Sequence, residues 1–257
     1  MTLSNYHTHT CYCDGKDRPE ELVREAIRLG CPELGFSGHG HVPFEDCCMS
    51  LQGTEEYRRE VLRLKESYGD RIRIYLGVEQ DFFSDLPAAG YDYVIGSVHY
   101  LLRDGQPFSV DLSRESQIEL VSRHYGGDYY AMIEEYYETV GRVHERTGCQ
   151  IVGHFDLVTK FNEAGDLFDT AHPRYRKAAL QALDRLCGRG LIFEINTGAM
   201  ARGYRRSPYP EDFILQELRR RGEKLLFSSD CHDKRYLLHG FAQLQQQVPE
   251  ALEKLFG

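Results

Sequence analysis

A chain of 257 residues that is 41% hydrophobic and 28% charged is long enough to bury a sizeable core, and its composition excludes a disordered or fibrous protein. With 31 Lys+Arg against 40 Asp+Glu its formal charge is −9, so the surface repels polyanions and cannot hold DNA or RNA by bulk electrostatics alone. No apolar run approaches the roughly 20 residues of a membrane helix, and the start MTLSNYHTHT has neither the basic nor the apolar region of an export signal, so a cytoplasmic protein without membrane or nucleic-acid partners is expected.

Tyr6 to His9 and Leu34 to Gly38 read as short strands. Between them a helix enters at Pro19, carries the apolar stripe Leu22, Val23, Ala26 and Ile27, and leaves at Gly30. Ile72 to Glu79, Tyr91 to His99, Ile151 to His154, Leu191 to Asn196 and Leu225 to Asp230 follow as strands. Tyr175, Ala178, Ala179, Ala182, Leu183 and Leu186 keep helical spacing, and Phe213, Ile214, Glu217 and Leu218 do so in part. Tyr129-Tyr130 and Tyr136-Tyr137 on one helical stretch read as packing residues with polar tips. No linker, repeat or low-complexity tract divides the chain, so residues 1–257 are expected to form one domain. Seven strands alternating with helices predict an α/β barrel. A core of this size needs no disulfide staples, and neither Cys11-x-Cys13 nor Cys47-Cys48 has the two-residue gap of a zinc knuckle or redox motif; all eight cysteines are expected to be reduced.

The apolar strands keep ending in His, Asp or Glu. Ile72, Ile74, Leu76 and Val78 share one face, which leaves Glu79 on the other at the strand's C-terminal end. In parallel α/β proteins these ends meet at one mouth, where active sites are assembled. His7-x-His9 sets two imidazoles on one side of an extended segment, and alone it is weak evidence for a metal site. It gains weight beside Asp14, His39, Glu79, His99, His154, Asp230 and His232. Burying so many polar groups without compensation would cost several kcal/mol each, and shared metal ions satisfy them together.

The order His-x-His, Asp14, Gly38-His39, Gly77-Val-Glu79, Gly96-Ser-Val-His99, Gly153-His-Phe-Asp156 and Ser229-Asp-Cys-His232 resembles the PHP (polymerase and histidinol phosphatase) family of metal-dependent phosphoesterases. Within it, Gly153-His-Phe-Asp-Leu-Val-Thr-Lys-Phe-Asn162 and Glu194-Ile-Asn-Thr197, followed by Arg202-Gly203, are most similar to stand-alone histidinol-phosphate phosphatases. The resemblance implies a distorted (β/α)7 barrel with three divalent ions, usually zinc, iron or manganese. It assigns His7, His9, Glu79 and Asp230 to one ion, Glu79, His99 and His154 to a second, and Asp14, His39 and His232 to a third, where many members carry histidine in place of Asp14. Asp14, Glu79 and Asp230 would be its catalytic carboxylates.

Three divalent ions bring about +6, which three carboxylates and one hydroxide reduce to roughly +2, matching a phosphate dianion. The expected reaction is hydrolysis of a phosphate monoester by a metal-bound hydroxide, and the resemblance implies that the ester is L-histidinol phosphate, in histidine biosynthesis. Rival readings are another phosphate mono- or diester, such as a nucleotide or nucleic-acid end, and a non-catalytic metal-binding regulatory domain. No Gly-x-Ser-x-Gly elbow or P-loop is present.

An arginine fork suits non-reacting phosphoryl oxygens, which makes Arg202 the first candidate for substrate binding and Lys160 the second. Arg205 and Arg206 read as surface residues and His41 as a loop histidine near substrate or solvent. Asp156 is expected to orient a ligand imidazole or cap the following turn, and Glu194 to be a satisfied core carboxylate. Alternation turns Cys231 away from the metals. His124, His144, His172 and His239 read as ordinary structural or surface histidines.

Overall fold

A computed structural model describes residues 3–251 and 254–256 of the chain. Its strands in chain order are β1 (Glu33–Phe36), β2 (Arg73–Asp81), β3 (Tyr93–Ser97), β4 (Tyr100–Arg103), β5 (Gln106–Ser109), β6 (Ile151–Val152), β7 (Ile192–Asn196) and β8 (Lys224–Ser228). Six of them form one sheet in the order β1-β2-β3-β6-β7-β8. Every pairing in it is parallel.

The two edges of that sheet are joined by the segment expected to be the first strand. It is a connector with isolated bridges rather than a regular strand: Asn5 pairs with Leu34 of β1, and Thr8 with Cys231 just beyond β8. Gly35 donates to the Asn5 carbonyl at 2.8 Å, and His9 donates to the Cys231 carbonyl at 2.8 Å. The ladder is interrupted because the Asn5 side chain accepts the His7 backbone N–H at 3.2 Å, a local bond that competes with strand pairing. The result is the distorted seven-membered barrel that the resemblance implies.

Helix Pro19–Arg28 starts on its proline, and the chain turns after it at Gly30, whose φ is +73°. Helix Pro173–Leu186 buries the six residues whose spacing predicts it. Helix Asp212–Arg221 buries Ile214 and Leu218, half of its expected stripe. Several elements were not anticipated, among them a long helix and a hairpin. Helix Leu51–Ser67 is capped by the Ser50 hydroxyl and buries Thr54, Tyr57, Val61 and Leu64. The strand predicted over Tyr91 to His99 stops at Ser97, and the chain enters the antiparallel hairpin β4–β5 through Asp104-Gly105, both at positive φ.

The helices pack their apolar stripes on the outside of the sheet. A separate apolar cluster of Tyr6, Tyr93, Ile95, Ile151, Ile192 and Leu226 comes from the connector and four strands. Tyr93 ties these parts together, because its hydroxyl donates to the Phe36 carbonyl at 3.0 Å and also to the carbonyl of Tyr6. Its ring lies against the backbone of Gly77, where any Cβ would strike it. All eight cysteines are free thiols.

Candidate metal centre

The nine side chains singled out above converge at the C-terminal ends of the strands. The connector carries His7 and His9, the turn after it Asp14, and the segment after β1 His39, whose backbone bridges to Glu79 in β2. His99 follows β3, His154 follows β6, and Asp230 and His232 follow β8. The connector and five strands therefore contribute to one focus, because parallel strands all point the same way.

Glu79 is its centre. The carboxylate is 1% exposed, and its Oε1 accepts from Ser97 Oγ at 2.6 Å and lies 2.8 Å from His154 Nε2 and 3.5 Å from His99 Nε2. Oε2 lies 2.9 Å from His39 Nδ1, 3.3 Å from His7 Nε2 and 3.4 Å from His9 Nε2. Asp230 Oδ1 stands 3.2 Å from His9 Nε2 and 3.7 Å from His7 Nε2. Asp14, at the open side, reaches His232 Nε2 at 3.2 Å and His39 Nε2 at 3.7 Å. Asp230 adopts φ +45°, a left-handed backbone uncommon for a non-glycine residue.

Several buried atoms here have no hydrogen-bond partner: His7 Nε2, His9 Nε2, Glu79 Oε2 and His154 Nδ1. The first three crowd together yet make no bond among themselves, which is the arrangement of lone pairs aimed at a shared cation. Three sets of donors lie within 4.8 Å of one another: His9, Asp14, His39 and His232; His7, His9 and Asp230; and His39, Glu79 and His99. Burial, with the imidazoles of His232 and His39 beside it, pushes the His9 pKa down to about 3, so the ring is neutral and one of its nitrogens offers a lone pair. Burial opposes ionisation of Glu79, but His7, His39 and His99 outweigh it and hold the carboxyl well below its usual range. Nitrogen and oxygen donors in this mixture suit divalent zinc, iron or manganese.

The converging side chains are held from behind. Glu194, expected only as a core carboxylate, places Oε1 2.7 Å from His7 Nδ1 and accepts the His154 backbone N–H at 3.0 Å. Asp81, which sequence reasoning passed over, lies 3.1 Å from His99 Nδ1 and accepts that residue's backbone N–H at 2.9 Å. Its signal was available, since Glu79 and Asp81 share a face of one strand. Asp156 does neither job expected of it: its Oδ2 accepts the Glu211 backbone N–H at 2.8 Å, which ties the segment after β6 to the start of helix Asp212–Arg221.

A cavity of about 330 Å³ opens over the cluster, with Arg202 and Lys160 on its wall. Arg202 donates to Asp230 Oδ2 at 3.0 Å, and its Nη1 lies 2.9 Å from His232 Nδ1. Lys160 is 9% exposed and donates to the Asp111 carbonyl at 2.7 Å and its carboxylate at 3.0 Å. Arg206 is exposed as expected. Arg205 is not a surface residue: it is 7% exposed, bonded to Thr159 and stacked on Tyr209, because the loop folds it inward toward Asp156 and Glu211. His41 turns to the Met49 carbonyl at 3.1 Å, and Cys231 turns away to the Asp233 carbonyl at 3.1 Å. His144 bonds the Cys149 carbonyl, and His172 caps helix Pro173–Leu186. His124 packs on Phe108 and His239 on Tyr236.

A parallel α/β barrel with a histidine–carboxylate cluster at its C-terminal mouth defines the class of metal-centred barrel proteins. The chain belongs to the PHP domain family, whose profile matches residues 5–198. It is 30% identical to a Deinococcus radiodurans protein assigned as a histidinol-phosphatase, over 96% of this chain and 92% of that one. It is 26% identical to the histidinol-phosphatase of Bacillus subtilis, over 90% and 94%. Among solved structures, the histidinol phosphate phosphatase of Lactococcus lactis, complexed with zinc, L-histidinol and phosphate, superposes with a TM-score of 0.69 at 20% identity, covering 96% of this chain and 93% of that one. A Listeria monocytogenes protein assigned as a histidinol phosphatase reaches 0.79 at 20% identity, covering 93% and 99%.

Proposed function

We propose that this protein is a histidinol-phosphatase, hydrolysing L-histidinol phosphate to L-histidinol and inorganic phosphate. The observation that carries the reaction class is Glu79, a buried carboxylate faced by five imidazoles at the mouth of a cavity. The substrate rests on the relatives that match nearly end to end.

On this reading His7, His9, Glu79 and Asp230 hold one ion, Glu79, His99 and His154 a second, and Asp14, His39 and His232 a third. Bound zinc, iron or manganese would supply Lewis acidity toward the phosphoryl oxygens and a water made nucleophilic at neutral pH. The chain's own residues do the rest. With a cation bound, Glu194 and Asp81, each facing the Nδ1 of its ring, would leave Nε2 of His7 and His99 turned inward as an acceptor. Arg202 steadies Asp230 and offers its fork to non-reacting phosphoryl oxygens. Lys160 adds charge at the wall, where Asp111 holds it in place. Burial works against an ionised Asp14, but His39 and His232 keep its carboxyl well below the usual range, so it serves as a donor of lone pairs rather than of a proton.

No helix of the described residues is long and apolar enough to cross a membrane, in keeping with a cytoplasmic biosynthetic enzyme acting on a small phosphate ester. Steady-state phosphate release from L-histidinol phosphate, compared with bis-p-nitrophenyl phosphate and oligonucleotides, tests the proposal. The monoester is expected to be much the best substrate. Diesters turned over as efficiently would place the chain with another phosphoesterase activity, and full metal content with no turnover of any ester would make it a binding domain.

A further inference from the structure

The charged groups on the cavity wall outside the ligand cluster are mostly spoken for. Lys160 is paired with Asp111 and Arg202 with Asp230. Glu45 is different. It stands half-buried in the turn between His39 and helix Leu51–Ser67 and lines the same cavity. Its side chain accepts one bond, from the Tyr100 hydroxyl to Oε2 at 3.0 Å, and among the described residues it has no lysine or arginine partner. Tyr100 is itself fixed, 6% exposed as the first residue of β4 and edge-on to Phe44 at 5.0 Å between ring centroids.

A carboxylate with one oxygen oriented and the other free does not suit the phosphate end of a substrate, because like charges repel. It can face a cation. The phosphate of an ester is drawn to the metal cluster, so the remainder of the molecule is directed along the wall that Glu45 shares.

We infer that Glu45, oriented by Tyr100, determines specificity by binding the protonated amine of a phosphate monoester whose phosphate lies at the metal cluster. This rests on the phosphatase reading above and deepens it. L-Histidinol phosphate carries such an amine, whereas nucleotides and sugar phosphates present neutral or anionic groups that leave Glu45 desolvated and unpaired.

The test compares kcat/KM for L-histidinol phosphate and for its desamino analogue, 3-(imidazol-4-yl)propyl phosphate, in the wild type, Glu45→Gln and Tyr100→Phe. The wild type is expected to prefer the amine-bearing ester. Glu45→Gln shrinks that preference roughly tenfold or more, chiefly through KM, and Tyr100→Phe shrinks it by a smaller factor. An undiminished preference in Glu45→Gln, or equal losses on both esters, overturns the role of Glu45 while leaving the phosphatase reading intact. Failure of the wild type to hydrolyse L-histidinol phosphate overturns the reading itself, and the inference with it.

Discussion

Glu194 and His7 are joined by the contact that orients the His7 ring: Oε1 of the carboxylate lies 2.7 Å from Nδ1. The other oxygen of Glu194 accepts from the His154 backbone at 3.0 Å and from Asn196 Nδ2 at 3.1 Å. One side chain on β7 therefore fixes two proposed ligands. Glu194→Gln is expected to weaken metal retention roughly tenfold to a hundredfold, read as ions remaining per chain during competition with a chelator. Retention equal to the wild type would show that His7 is positioned by other means.

Glu79 is the only side chain shared between two of the proposed ions. Glu79→Ala should lose two ions per chain and bring phosphate release down to the uncatalysed background, while circular dichroism shows the fold preserved. A variant that keeps its full metal content would remove the bridging role.

Arg202→Ala should raise KM for the phosphate ester more than it lowers kcat, with kcat/KM down roughly tenfold to a hundredfold. Arg202→Lys should recover little of this, because an ammonium cannot reproduce the two-pronged contact with Asp230 and His232. Unchanged kinetics in the alanine variant would take Arg202 out of the site.

Away from the chemistry, Gly77 lets β2 approach the Tyr93 ring, and Tyr93 in turn anchors the connector through Tyr6. Gly77→Ala overfills this contact and should cost about 1–3 kcal/mol, lowering the thermal midpoint by roughly 3–10 °C. A midpoint within a degree of the wild type would mean that the ring moves aside freely.

Much of this was legible in the sequence because the barrel repeats one pattern, an apolar run ending in a polar residue, and most repeats bring a proposed ligand to the same rim. Glu79 could be placed by alternation alone, since Ile74, Leu76 and Val78 fix the opposite face. What alternation could not supply was pairing between distant strands. It showed Glu194 as buried but not that His7 would meet it, and it suggested Asp156 as a partner for an imidazole when the Glu211 backbone claims it. Arg205 was misplaced for a related reason: a basic loop reads as solvated unless its buried counter-charges, here Asp156 and Glu211, are known to lie beneath it. The hairpin was readable from Asp104-Gly105, a turn pair between apolar stretches that was not used.

The account depends most directly on activity following bound metal. Ions per chain by elemental analysis and phosphate release from L-histidinol phosphate, measured on the same samples through a chelator titration and metal restoration, should fall and recover together, starting from about three ions per chain on the proposed assignment. Turnover that persists after the ions are gone, or a folded protein that holds less than one ion when supplied with zinc, iron or manganese, would contradict it.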